Sequence, residues 1–457
     1  MVSGAAAAGS ARTATEVRTA GALPTTELLA KAHRFGWYGL GGHRAPRGEV
    51  AGPAPDAENG TGSPEHGRSV PACGTTFAVS SSPNVGTSDN ELHGSYAASA
   101  NDAWAVGYYT ASTYLGPIPK PLIEHWNGTT WSTVSNPPIP SLVPSGELLA
   151  VSGTSSTDVW AVGDYVASTG IGQALIEHWD GVKWTIVPSP SLGFAQLGNF
   201  LTGVAALSKT DVYAVGYYEN SGTTYRTLIE HWNGSTWTLM TSPNATVSYN
   251  FLWSVTAVSS TNVMAVGFSY TGQPTVPVLA RTLTEQWNGV SWSVVPSPNY
   301  DTDLGPDDNF LLGTAVVPGT GTVWAVGMAV LDIAFGTQST QTLVEQWNGT
   351  GWSIVPSPSF LPYQGGLFAV AVISGTDVYA VGGYLPGSGF DQTLVERWDG
   401  ATWTRVTSPN VGTLQNDLLG VAATPATGQI IAVGDYMAGT YYAPGPTKTL
   451  VEQACGV

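Results

Sequence analysis

The sequence predicts an all-β fold: a seven-bladed β-propeller of four-stranded antiparallel blades, closed by an N-terminal strand that completes the last blade. Three observations predict it. The phrase Ala-Val-Gly recurs, ending at Gly107, Gly163, Gly216, Gly267, Gly327, Gly382 and Gly434, at intervals of 51 to 60 residues. A period of that size marks a repeat architecture whose units bury their faces against one another. Six Asn-Gly or Asp-Gly pairs follow at a fixed place in the repeat, at Asn127, Asp180, Asn233, Asn288, Asn348 and Asp399. The two chain ends, finally, are complementary: the last repeat stops one strand short, and an extra strand stands before the first.

In chain order, residues 1–71 come first. They are rich in Ala, Gly, Pro and Thr and show no strand alternation. Only Thr25 to Phe35 has helical spacing, around Leu28, Leu29 and Ala32. The segment reads as a low-complexity, disordered arm. Residues 72–457 carry the propeller.

Each repeat there breaks into four strand-length runs bounded by Gly, Pro, Asn or Asp. The first is apolar, as in Leu201 to Ala206 or Leu367 to Val372. The second is Val-Trp-Ala-Val-Gly, as at Val159 to Gly163. In it Val159, Ala161 and Gly163 share one face, and Trp160 and Val162 the other. The third is Leu-Ile-Glu-His-Trp, as at Leu175 to Trp179. The fourth runs from a Trp to a Ser-Pro, as at Trp237 to Pro243. Between third and fourth, Asn-Gly and Asp-Gly accept the positive φ angles of a type I′ hairpin turn.

The last repeat ends in a third run, Thr449 to Gln453, and Thr75 to Pro83 matches a fourth run, with Phe77 where Trp131 sits in the next repeat. Pairing the two closes the ring and removes an exposed sheet edge. The same alignment sets Cys455 and Cys73, the only cysteines, on the turn position that Asn127 occupies. A Cys73–Cys455 disulfide is therefore expected, and with it an oxidising, extracellular or cell-surface setting. Ala5 to Ala8 is too short and too weakly apolar for the core of a signal peptide.

Composition narrows the function classes. Asp plus Glu number 32 against 15 Lys plus Arg, a formal net charge of −17. So acidic a chain, with no basic run, repels nucleic acid and anionic lipid. No apolar run is long enough to cross a bilayer. A monomer is expected.

The phrase Asp377-Val-Tyr379-Ala-Val-Gly382-Gly383-Tyr384, with Leu394 to Asp399 and Trp403, resembles a Kelch repeat, and the resemblance covers about Ala72 to Val457. Most copies keep one glycine of the family's pair, as at Gly107 and Gly163, and the aromatic pair is more closely spaced. The resemblance implies a propeller of the kind found in binding scaffolds and in the central domain of galactose oxidase. The copper site of that enzyme needs a cysteine cross-linked to a tyrosine. Cys73 and Cys455 fall at the ring closure, so the copper chemistry is not implied.

Several groups invite a chemical reading. Glu124, Glu177, Glu230, Glu285, Glu345, Glu396 and Glu452 hold one place in every repeat. A side chain repeated with the fold serves the fold, so each is expected to accept a hydrogen bond from a backbone N–H or an indole of the next blade. His125, His178 and His231 follow three of them. Third strands of neighbouring blades lie over ~10 Å apart, too far for ~2 Å zinc bonds to bridge. Asp301, Asp303, Asp307 and Asp308 make the densest acidic cluster, whose alternating carboxylates could wrap calcium. No other cofactor is implied. No nucleophile elbow, zinc-protease helix, phosphate loop or dinucleotide fingerprint occurs.

The loops after the Ala-Val-Gly glycines vary in length and are rich in tyrosine: Tyr108, Tyr109, Tyr165, Tyr217, Tyr218, Tyr270, Tyr384 and Tyr436. They emerge on the face that also carries the connections between blades. Loops on a rigid scaffold are where binding resides, and tyrosine offers apolar area with a polar tip. The sequence thus points to a non-catalytic propeller that binds a glycan or a protein through this face. Two alternatives stand beside it. One is a carbohydrate-active enzyme, a glycoside hydrolase or lyase, with Asp164, Asp303 and Asp435 at the channel mouth. The other is a structural surface module.

Overall fold

A computed structural model describes residues 75–455 apart from 114–115, 142–144, 191–197, 222–223, 272–278, 302–306, 335–336, 359, 362–363, 388–389, 425 and 441–442. The expected arm, residues 1–71, and Cys73 lie outside the described residues. All regular structure among the described residues is β.

A short strand, β1 (Ala78–Val79), precedes the first four-stranded meander, β2 (Asn90–Ser99), β3 (Asp102–Thr113), β4 (Gly116–Trp126) and β5 (Trp131–Val134). The second is β6 (Ser145–Ser155), β7 (Asp158–Val166), β8 (Gly172–Trp179) and β9 (Trp184–Ile186). The third is β10 (Asn199–Ser208), β11 (Asp211–Ser221), β12 (Thr224–Trp232) and β13 (Trp237–Leu239). The fourth is β14 (Tyr249–Ser259), β15 (Asn262–Thr271), β16 (Leu279–Trp287) and β17 (Trp292–Val295). The fifth is β18 (Asp308–Val316), β19 (Val323–Ala334), β20 (Thr337–Trp347) and β21 (Trp352–Ile354). The sixth is β22 (Gln364–Ser374), β23 (Asp377–Leu385), β24 (Gln392–Trp398) and β25 (Trp403–Val406). The last, β26 (Gln415–Thr424), β27 (Gln429–Thr440) and β28 (Ala443–Cys455), takes β1 as its fourth strand: Ala78 pairs with Gln453 and Val79 with Glu452.

Within each meander the pairing is antiparallel. A single parallel pair, Tyr225 with Tyr249, joins the third and fourth meanders into one eight-stranded sheet, and Thr340 with Gln364 does the same for the fifth and sixth. The arrangement is that of a β-propeller, with the first strand of each meander innermost.

The Ala-Val-Gly motif has a steric cause. In all seven meanders the innermost strand carries a bulge directly after its Leu, as between Leu92 and Gly94 or Leu201 and Gly203. The bulge drives the preceding carbonyl into the facing glycine. A methyl group at Gly163 would lie 2.1 Å from the carbonyl oxygen of Glu147, and one at Gly216 would lie 2.0 Å from that of Phe200. No side chain fits there. The residue just after each bulge is small (Gly94, Ala150, Gly203, Ser254, Gly313, Ala369 and Gly420), and these residues bring neighbouring innermost strands into backbone contact: a Cβ on Gly313 would lie 2.8 Å from Cα of Ala369. Last and first meanders meet the same way: a Cβ on Gly420 would lie 2.7 Å from the carbonyl oxygen of His93.

The core lies between meanders. Val159 and Ala161 of β7 pack toward the first meander with Trp104, Leu148 and Trp184, while Trp160 and Val162 pack toward the third with Leu201, Val212 and Trp237. The two faces read from alternation are these two interfaces.

The hairpin between third and fourth strands departs from the expected type I′ geometry. Asn127 is the corner residue, not a central one: its N–H donates to the carbonyl of Thr130 at 3.3 Å. Its Oδ1 accepts from the backbone N–H groups of Thr129 and Thr130 at 3.0 and 2.9 Å. Gly128, the first central residue, takes the positive φ of the turn, +92°. The Asn or Asp is selected for capping and the glycine alone for positive φ.

Candidate functional site

The repeated polar residues hold the fold together. Glu124, Glu177, Glu230, Glu285, Glu345, Glu396 and Glu452 are fully buried, and burial raises each carboxyl from 4.5 to about 8. Their donor is not the expected indole or backbone N–H. For five of the seven it is the serine of the Ser-Pro stop in the preceding meander: Ser82 to Glu124 at 2.6 Å, Ser189 to Glu230 at 2.8 Å, Ser242 to Glu285 at 2.8 Å, Ser297 to Glu345 at 2.6 Å and Ser408 to Glu452 at 2.6 Å. In the first meander Asn136 occupies the serine's place and donates to the carbonyl of Pro121 instead, and in the fifth Ser357 bonds the Thr342 hydroxyl at 2.7 Å, so both carboxyl oxygens of Glu177 and of Glu396 are left without a partner.

The histidines brace strands. His125, His178 and His231 each bond the Asp that opens the neighbouring second strand, Asp102, Asp158 and Asp211, at 2.7–2.8 Å. Their rings lie on Trp104, Trp160 and Tyr213. Arg397 takes the same post, its Nε donating to Asp377 at 2.6 Å.

Function is better sought where the repeats differ. One ladder position, just before the bulge, pairs the residue preceding the first strand's Leu with the residue following the second strand's Gly. The seven pairs are Glu91–Tyr108, Glu147–Asp164, Phe200–Tyr217, Phe251–Phe268, Phe310–Met328, Gly366–Gly383 and Asp417–Asp435. Three meanders adjacent in the fold, the last, first and second, are acidic there. The third, fourth and fifth are apolar, and those rings form one buried cluster with Tyr225 and Tyr270.

The acidic pairs line one mouth of a central cavity of about 960 Å³, together with Asp89, His93, Gln415 and Thr447. Tyr108 Oη donates to Glu91 Oε1 at 2.6 Å, and Thr447 N donates to Asp89 Oδ1 at 3.0 Å. Gln415 Nε2 bridges Asp417 Oδ2 and Asp435 Oδ2 at 3.0 and 3.1 Å. Burial holds the Asp417 and Asp435 carboxyls well above the usual range. The nearby charges of Asp391 for the former and of Glu91 and Asp417 for the latter push the same way. Asp391 rises to about 7 by burial. Such crowding of carboxyls favours ligands that donate hydrogen bonds or carry positive charge. Among the described residues no three His, Cys, Asp or Glu side chains are placed to hold a metal ion.

Asp164 and Asp435, anticipated at the channel mouth, thus share this wall; Asp303 lies outside the described residues. Of the eight tyrosines, Tyr108 lines the mouth. Tyr109 lines a second cavity of about 510 Å³ beside Lys120 and Pro137. Tyr165, Tyr218 and Tyr436 are half-buried between meanders. Tyr384 packs under the Arg405 guanidinium, 4.1 Å from its ring centre. The expectation is corrected for Tyr217 and Tyr270, which are buried among Phe251, Phe268 and Phe310. With phenylalanines flanking it, the ladder position of Tyr217 turns its ring inward as core.

In the acidic loop, Asp301 pairs with Arg281, and Asp308 Oδ1 accepts from the N–H of Ala280 at 2.7 Å. Asp307 is buried. The calcium expectation also needs Asp303, outside the described residues. Glu91, Glu147 and Asp417 went unread in the sequence. Aligning the repeats on the first strand's Leu and reading the preceding column would have found them.

No protein-family model matches the chain, and no curated protein does. Solved structures do. YCF48 bound to a D1 peptide is 14% identical over 84% of this chain and 97% of that one, at a TM-score of 0.46. A polysaccharide lyase, the PL25 ulvan lyase bound to a GlcA–Rha3S unit, is 12% identical over 80% and 94%, at 0.49. The Aleuria aurantia lectin, a fungal six-bladed β-propeller that recognises fucose, is 13% identical over 70% and 97%, at 0.38. At these identities and scores the likeness assigns no ligand, reaction or partner. No helix among the described residues is long and apolar enough to cross a membrane.

Proposed function

We propose that the meanders form one seven-bladed, Kelch-like ring closed through β1 and β28, and that this ring is a recognition module outside the cell. It binds a glycan or protein ligand at the acid-walled mouth without transforming it. The observation that supports this reading is the broken repeat: one ladder position is acidic in three adjacent blades and core in the next three. A scaffold residue would recur in every blade, as the buried glutamates do. An array of glycans and proteins, probed with the full chain and with a Glu147→Gln, Asp164→Asn variant, tests it. Ligands retained by the chain should be lost by the variant. Ligands bound equally by both would place recognition elsewhere.

The raised carboxyls of Asp417 and Asp435 favour one second reading, glycoside hydrolysis, since a carboxylic acid that keeps its proton can protonate a leaving group. Release of new reducing ends from neutral polysaccharides, lost in Asp435→Asn, would replace recognition by catalysis.

A further inference from the structure

The mouth has a second wall, and the two walls together specify a ligand. Deepening the recognition reading, we propose that the mouth takes the side chain of a lysine or arginine presented by a protein partner. On one side stand Glu91, Glu147, Asp164, Asp417 and Asp435. Among the described residues lining the cavity there is no lysine or arginine, and His93 is the only group that could carry positive charge. Asp417 is 1% exposed, and its Oδ1 has no hydrogen-bond partner. A buried oxygen left in that state costs free energy that an incoming N–H would recover.

On the other side Trp253 of β14 and Phe368 of β22 line the same cavity. They stand at the bulge position where His93 stands in the first meander. Neither is fully buried. Their rings offer π faces to a cation and apolar area to its methylene stem. Anionic glycans are repelled by such a wall. A neutral sugar could bond the acids as acceptors but brings no positive charge to stabilise their ionised form. A basic side chain answers both walls at once: its head meets the carboxylates and its stem the rings.

The test titrates the full chain, by calorimetry, with a twelve-residue peptide of arginine, glycine and serine, and with the same peptide carrying citrulline for arginine. Citrulline keeps the shape and removes the charge. The arginine peptide should bind at least about tenfold tighter, and Glu147→Gln with Asp164→Asn should remove that advantage. Asp180→Asn with Asp399→Asn, which removes equal charge from the two Asp-Gly turns, should leave it intact. Equal affinity for the two peptides, or no binding of either, overturns the inference. So does equal weakening by the two variant pairs, which would mean attraction by net charge alone. Spermidine binding as tightly as the arginine peptide would assign the mouth to small amines and overturn the protein partner. A neutral glycan lost in the mouth variant would keep the recognition reading while this inference falls.

Discussion

Replacing Glu177 by Gln should make the protein's stability less dependent on pH. Glu177 is fully buried, and neither carboxyl oxygen has a hydrogen-bond partner. Burial lifts its pKa from 4.5 to about 8. Below pH 4.5 the folded and unfolded chains both hold the proton, and the group contributes its full stability. As pH rises from 4.5 to about 8 only the folded chain keeps the proton, and stability is lost by about 1.4 kcal/mol per pH unit. Between about pH 5 and about pH 7 that amounts to about 3 kcal/mol for this one residue. Glutamine has the same shape and does not titrate. Urea denaturation of both proteins at several pH values gives the difference in unfolding free energy. The variant should gain on the wild type steadily as pH rises, whatever constant penalty its amide carries. A difference that stays flat across the range would refute the reasoning and mean that Glu177 ionises freely in the folded chain.

Two further outcomes follow from the fold. Gly216→Ala should cost about 3 kcal/mol or more, because its Cβ would lie 2.0 Å from the Phe200 carbonyl oxygen, whereas Gly351→Ala, with nothing within 4 Å, should leave the thermal midpoint nearly unchanged. Continued by two residues, the β1–β28 register sets Thr76 opposite Cys455, so the proposed Cys73–Cys455 disulfide would stand where the other blades have a hairpin turn. Non-reducing mass spectrometry should find no alkylatable thiol. Reduction should cost up to about 6 kcal/mol by loop closure, and two free thiols in oxidised material would refute the staple.

What the sequence discloses and what it withholds divide along the repeat. Strand order, the face alternation of Val159 to Gly163 and the pairing of the chain ends were legible because each recurs, and recurrence reports the fold. The reasons behind some constant residues were not legible. The Ala-Val-Gly glycine answers to a bulge on another strand, and the Ser-Pro serine answers to a glutamate in the next meander; neither partner is near in sequence. The site was the least legible part, for the opposite reason. Asp164 and Asp435 drew notice as isolated acids after a glycine, but Glu91, Glu147 and Asp417 sit before apolar runs and look like strand punctuation. Tyr108 and Tyr217 are alike in sequence, each following an Ala-Val-Gly. One lines the mouth against Glu91 and the other is sealed beneath Phe200 and Phe251. What separates them is the partner across the ladder, acidic in one and aromatic in the other. In a repeat protein, then, the chemistry of a site is written in the pairs that break the pattern. Reading it needs the register, because only the register says which two exceptions face each other.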